Sequence, residues 1–128
     1  MISNRKKAVL FGLSLLLVVV FLFAYNREIF DGDKIKNHDY YALKIKKMNG
    51  TDSHAMNLAE GTVLEVNFVT EEGCLCLKIK APDGTSIYQG NGKALSAFEV
   101  KAKAAGIYTI VVQAHHAKGK IVIQKKGV

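Results

Sequence analysis

Residues Ala8 to Tyr25 read AVLFGLSLLLVVVFLFAY, a run without charge in which one Gly and one Ser interrupt side chains that are otherwise apolar or aromatic. As an α-helix a run of this length extends about 27 Å, close to the thickness of a bilayer's hydrocarbon core. The reading is a transmembrane anchor over 8–25. Arg5, Lys6 and Lys7 precede it, and a mixed flank of Arg27, Glu28, Asp31, Asp33 and Lys34 follows. The positive-inside bias keeps residues 1–7 in the cytoplasm and carries everything after the helix across the cell membrane. The alternative is a signal peptide whose cleavage releases a secreted domain. The run exceeds a usual apolar core of roughly 7–15 residues, and Leu22 occupies the position where Leu22-Phe23-Ala24 would need a small residue. Tyr25 suits a membrane interface.

This anchor bounds the remainder. With 26–37 as a linker of little apolar period, residues 38–128 give room for one domain and one core. The formal charge is +7, of which Arg5, Lys6 and Lys7 supply three, leaving +4 for the translocated part, nearly all of it from Lys. Scattered Lys on solvent faces keeps sheet edges from pairing. Nucleic acid is not an expected partner, because interleaved Arg and exposed aromatics are missing. The charge suits an anionic lipid or envelope polymer beside the membrane, or another envelope protein.

From residue 39 the pattern is alternation. Tyr41, Leu43 and Ile45 share one face against Lys44 and Lys46; Leu64, Val66 and Phe68 alternate with Glu65 and Asn67; Leu75, Leu77 and Ile79 lie opposite Cys74, Cys76, Lys78 and Lys80. Residues 54–58, 85–89, 97–102 and 120–125 read as further strands. Ile107 to Ala114 is apolar on both faces, which predicts a central strand. Turns are expected at Asn49-Gly50, Glu60-Gly61, Glu71-Glu72-Gly73, Pro82-Asp83-Gly84, Ala104-Ala105-Gly106 and His115 to Gly119. Asn49-Gly50-Thr51 also matches a glycosylation acceptor. The expected fold class is all-β: an antiparallel, jelly-roll-like β-sandwich of 7–8 strands preceded by one transmembrane helix.

Gly73-Cys74-Leu75-Cys76-Leu77-Lys78-Ile79, Pro82-Asp83-Gly84, Ile87-Tyr88, Phe98-Glu99-Val100 and Gly106-Ile107-Tyr108-Thr109-Ile110 together resemble the spacing of GOLD-like and bacterial pre-peptidase C-terminal-like β-sandwiches. The resemblance spans Val63 to Gln124. It implies an adaptor or binding module with no catalytic residues to carry over. The order of segments departs from eukaryotic GOLD cargo receptors, which place the membrane helix last. The terminal Lys125-Lys126-Gly127-Val128 matches a di-lysine retrieval form, but that signal must face the cytosol.

Cys74 and Cys76 are the sharpest chemical feature. On one strand their Cα atoms lie about 6.6 Å apart, near the limit for a disulfide. Three readings stay open: space-filling thiols, a strained and reducible disulfide, or a soft-metal site for copper or zinc with His115, His116 or His54 as added ligands. His115 and His116 read otherwise as a solvated turn, Glu71 and Glu72 as a polar one. Tyr40 and Tyr41 suit the end of a sandwich. No nucleophile elbow, phosphate loop or His-Glu-x-x-His helix is present, so catalysis is not expected and no cofactor is called for.

These readings converge on a membrane-anchored, extracytoplasmic binding or accessory module of the cell envelope that is not an enzyme. A redox or metal-handling protein using Cys74 and Cys76 is the first alternative. A structural subunit of a membrane complex is the second; its helix could pack closely only near Ala8, Gly12 and Ser14.

Overall fold

The computed structural model describes residues 13–21, 27–94 and 96–126. A helix covers 13–21, and every side chain on it is exposed. Among the described residues no helix is long and apolar enough to cross a membrane. Arg5, Lys6, Lys7, Ala8 and Tyr25 lie outside the described residues, as do both ends of the expected anchor.

Six strands follow: β1 (Ile29–Lys36), β2 (Tyr40–Leu58), β3 (Val63–Lys80), β4 (Ser86–Gly90), β5 (Ala97–Lys101) and β6 (Gly106–Lys125). They form one antiparallel sheet in the order β1-β2-β6-β3-β4, with β5 also on β3. The doubly apolar segment Ile107 to Ala114 belongs to the central strand, as its composition predicts.

β2, β3 and β6 are far longer than ordinary strands, and each is interrupted once. The ladder slips between Ile45 and Gly50 on β2 and between Thr70 and Cys74 on β3, and these slips face 114–119 of β6. Inward parity flips at each slip. Tyr41, Leu43 and Ile45 are buried before it on β2, but Met48, Met56 and Leu58 after it; Leu64, Val66 and Phe68 give way to Leu75, Leu77 and Ile79 on β3; Tyr108, Ile110 and Val112 give way to Ala117, Ile121 and Ile123 on β6. An extra residue in a bulge bends its strand and re-phases its side chains. Three bulges side by side bend the whole sheet along one line. The same face stays inward on both arms, and all these residues form a single core.

The result is a β-sandwich made from one folded sheet. One layer holds β1, the first halves of β2 and β3, the second half of β6, and β5. The other holds the remaining halves and β4.

This geometry corrects three expected turns. Asn49-Gly50, Glu71-Glu72-Gly73 and His115 to Gly119 are not hairpin tips but the three strands' shares of the bend. Gly, Asn and polar residues serve a sharp bulge for the same conformational reasons that they serve a turn. Pairs of expected short strands therefore merge, and the count falls to six. The 26–37 linker is corrected as well, because 29–36 pair with β2 as an edge strand. The Asn49 acceptor pattern is closed: the side chain is 8% exposed, its amide donates to the Arg27 carbonyl, and its oxygen accepts the His116 N–H.

Candidate functional site

Folding one sheet leaves two long edges where the layers do not pair. At the first edge, β1 faces the second half of β2, and the gap is filled with polar groups. The Tyr41 hydroxyl donates to Asp52 at 2.5 Å, Lys34 and Lys36 reach the other carboxylate oxygen at 2.9 and 3.1 Å, and Lys36 also donates to the Ser53 carbonyl. His54 stacks on Tyr41 with ring centroids 5.2 Å apart and contacts the Asn37 carbonyl through Nε2 at 2.7 Å. Burial raises the Tyr41 pKa above its usual value, and the bond and charge of Asp52 add to this. Burial alone would raise that of Asp52 too; the hydrogen bonds from Tyr41, Lys34 and Lys36 outweigh it and hold the carboxyl below its usual value. This edge is sealed, and inward-pointing lysines on β1 protect it from pairing.

The second edge is open. β4 runs along β3 toward the bend, 91–94 and Ser96 lie in the crossing between the layers, and β5 returns along the other half of β3. Phe68 and Thr70 N–H groups donate to the Ser96 and Gly92 carbonyls, which secures the crossing. Between β4 and β5, at the end remote from the bend, lies a cleft of about 740 Å³. Its volume falls in the range of ligand sites. Tyr88 and Phe98 meet across the layers with centroids 4.5 Å apart, and Tyr108, buried and donating its hydroxyl to the Ala104 carbonyl at 2.7 Å, also lines the space.

The charged groups of the cleft are Asp83, Glu99, Lys101 and Lys103. Glu99 is paired with Lys126 at 2.9 Å, a contact that raises the lysine's pKa. A hydrogen bond from the Thr85 side chain, and after it the Thr85 N–H at 2.9 Å, hold the Asp83 carboxyl below its usual value. Both carboxylates are thus engaged by neighbours, Asp83 by Thr85 and Glu99 by Lys126. Desolvation, with a smaller contribution from Cys76, raises the Tyr88 pKa.

The cysteines lie on the outer face beside the bend, with Cys76 near enough to Tyr88 to raise its pKa. Cys74 is exposed, Cys76 half-buried, and both thiols are free. The register sets Cys74 directly opposite His115 and Cys76 opposite Gln113. The His115 and His116 rings meet edge to face at 4.5 Å. Among the described residues no group of three or more His, Cys, Asp or Glu side chains could hold a metal ion. His54 is committed to the sealed edge.

The comparisons bear on the fold. No protein-family model matches the chain, and no curated protein matches it in sequence. Among solved structures, PliG of Aeromonas hydrophila, a periplasmic inhibitor of g-type lysozyme, overlays with a TM-score of 0.52 at 15% identity, over 73% of this chain and 92% of its own. The two share a β-sandwich fold. Weaker overlaps occur with a CBM4 structure (TM-score 0.42, 12% identity, 81% of this chain and 83% of that one) and with TmCBM61 in complex with β-1,4-galactotriose (0.37, 14%, 68% and 61%).

Sequence reasoning did not single out the cleft. Its walls are nevertheless the segments that carry the family resemblance: Pro82-Asp83, Ile87-Tyr88, Phe98-Glu99-Val100 and Tyr108. Tyr88 and Phe98 stood out in that spacing and as positions on short strands, and nothing local revealed that those strands meet across two layers.

Proposed function

We propose that this chain is a membrane-tethered, extracytoplasmic β-sandwich that binds a partner in the cleft between β4 and β5 and performs no catalysis. The cleft carries the proposal: it is a large concavity with paired aromatics, and its carboxylates are each engaged by a neighbouring side chain. The GOLD-like resemblance supports an adaptor role for the same segments. The tether fits this arrangement. Asn49 fixes Arg27 at the bend, two residues and at most about 7 Å beyond Tyr25. The cleft sits near Tyr108, about 25 Å along β6 from the bend at a strand's rise.

Two measurements on the full chain test this. A membrane-impermeant maleimide added to intact cells is expected to label Cys74; labelling only after lysis would overturn the topology. Amide spectra of the chain in zwitterionic micelles, screened against peptides and oligosaccharides, are expected to shift at Ile87, Tyr88, Phe98 and Lys101. Silence at those positions against every probe would overturn the binding reading.

One observation favours the redox or metal alternative: Cys74 and His115 are direct cross-strand partners. Under it, native mass spectrometry would show a copper or zinc adduct that Cys74→Ser abolishes.

A further inference from the structure

The cleft has an unusual wall. Residues 98–101 of β5 line it consecutively, and so do Thr85 and the first three residues of β4, 86–88. A strand that presents a face to a cavity contributes alternate residues, whereas consecutive residues signal that its edge is presented. The ladder says which groups lie on that edge. Ala102 N–H donates to the Thr62 carbonyl and Phe68 N–H to that of Ser96. Hydrogen-bonded pairs recur at every second residue of an antiparallel ladder. Phe98 and Val100 accordingly turn their backbone groups to β3, while Ala97, Glu99 and Lys101 turn theirs away from it. Among the described residues β5 pairs with β3 alone, so these donors and acceptors face the cleft without a strand partner there.

The side chains complete the pattern. A segment laid along this edge would send alternate residues inward onto Tyr88, Phe98 and Tyr108, and the residues between them outward beside Lys101 and Lys103. Among the described residues those two lysines take part in no ion pair, whereas Glu99 is neutralised by Lys126 and Asp83 is held by Thr85.

We propose that the cleft accepts an extended peptide segment of a partner protein, alternating apolar and acidic residues, which adds as a strand to the free edge of β5. This rests on the binding-module reading above and names its partner. Backbone pairing supplies affinity, and the aromatic pocket and the lysines select the sequence, the general logic of strand addition.

The test uses the full chain in zwitterionic micelles and a blocked heptapeptide, acetyl-Asp-Val-Asp-Phe-Asp-Val-Asp-amide. At saturation the Glu99 and Lys101 amides are expected to exchange at least tenfold more slowly. N-methylation of the peptide at alternate amides should weaken binding at least tenfold in one phase and little in the other. The double variant Lys101→Glu, Lys103→Glu should weaken the parent peptide similarly. The peptide scan leaves the protein unaltered, so its reading does not depend on any variant folding. Equal binding of both N-methylated series would overturn strand addition and leave a cleft that grips side chains. Shifts with an oligogalacturonate but none with the peptide would overturn the peptide and keep the binding module. Shifts with neither, nor with any apolar probe, would overturn the inference and the module together.

Discussion

The side-chain oxygen of Asn49 accepts the backbone N–H of His116 across the bend at 3.3 Å. Its amide donates to Arg27 at 3.2 Å, so one buried side chain ties β2 to β6 and to the segment that leads into β1. A bulge leaves ladder groups unpaired, and each buried group without a partner costs roughly 1–3 kcal/mol. Asn49→Ala removes both partners and should lower unfolding free energy by about 2–3 kcal/mol in urea titration. Asn49→Asp keeps the acceptor but loses the donor, and should fall between Ala and the parent.

The bend also depends on close backbone approach. Gly73 has φ +68, and a Cβ there would overlap the carbonyls of His115 and His116. Gly84 has φ +87 in its turn, with open space around the same point. The two substitutions separate strain from clash. Gly84→Ala should cost about 1 kcal/mol for its backbone conformation alone, and Gly73→Ala more than about 3 kcal/mol. Equal losses in chemical denaturation would show that the bend can relax around a methyl group.

Asp52 makes the sealed edge sensitive to acid. Its carboxyl titrates below the ordinary 3.8 when folded, so at acid pH the unfolded chain binds the extra proton. Stability from this group is fully present above that ordinary value and is lost as pH falls through the lower folded one. Asp52→Asn should therefore be less stable than the parent at pH 7, by about 1–3 kcal/mol, since Lys34, Lys36 and the buried Tyr41 hydroxyl lose their charged acceptor. The gap should narrow below pH 4. Urea midpoints from pH 2.5 to 7 would check both the sign and the window.

Alternation carried most of the fold. Tyr41, Leu43 and Ile45, then Leu64, Val66 and Phe68, and then Leu75, Leu77 and Ile79 are all core, because burying one face imposes a period of two whatever the strand's partner. Turn chemistry misled at the bend for a physical reason: Gly73 and Asn49 mark places where the backbone leaves extended geometry, and a bulge needs this as much as a hairpin does. The parity flip was visible, since Ile45 and Met48 are three apart, but it separates bend from turn only when aligned across three strands. β1 hid because Lys34 and Lys36, its inward residues, satisfy Asp52 and not an apolar core. The cleft was illegible since it arises where β4 and β5, both borne by β3, face one another across the layers.

Gly90 bears on the cleft without lining it. A Cβ on Gly90 would overlap the hydroxyl end of Tyr88, two residues earlier on β4, and no backbone atom is near enough to clash. The ring is the flexible partner, so Gly90→Ala should keep the fold within about 1 kcal/mol while swinging Tyr88 off Phe98. The contact at 4.5 Å would be lost, and with it the ring-current shifts that each aromatic imposes on the other. Peptide binding should fall in parallel, because the inward residue of an added strand would meet a displaced ring. Unchanged ring-current shifts in Gly90→Ala would mean that Tyr88 tolerates the methyl group in place. Lost shifts with undiminished binding would place the occupant elsewhere than on the Tyr88 and Phe98 pair.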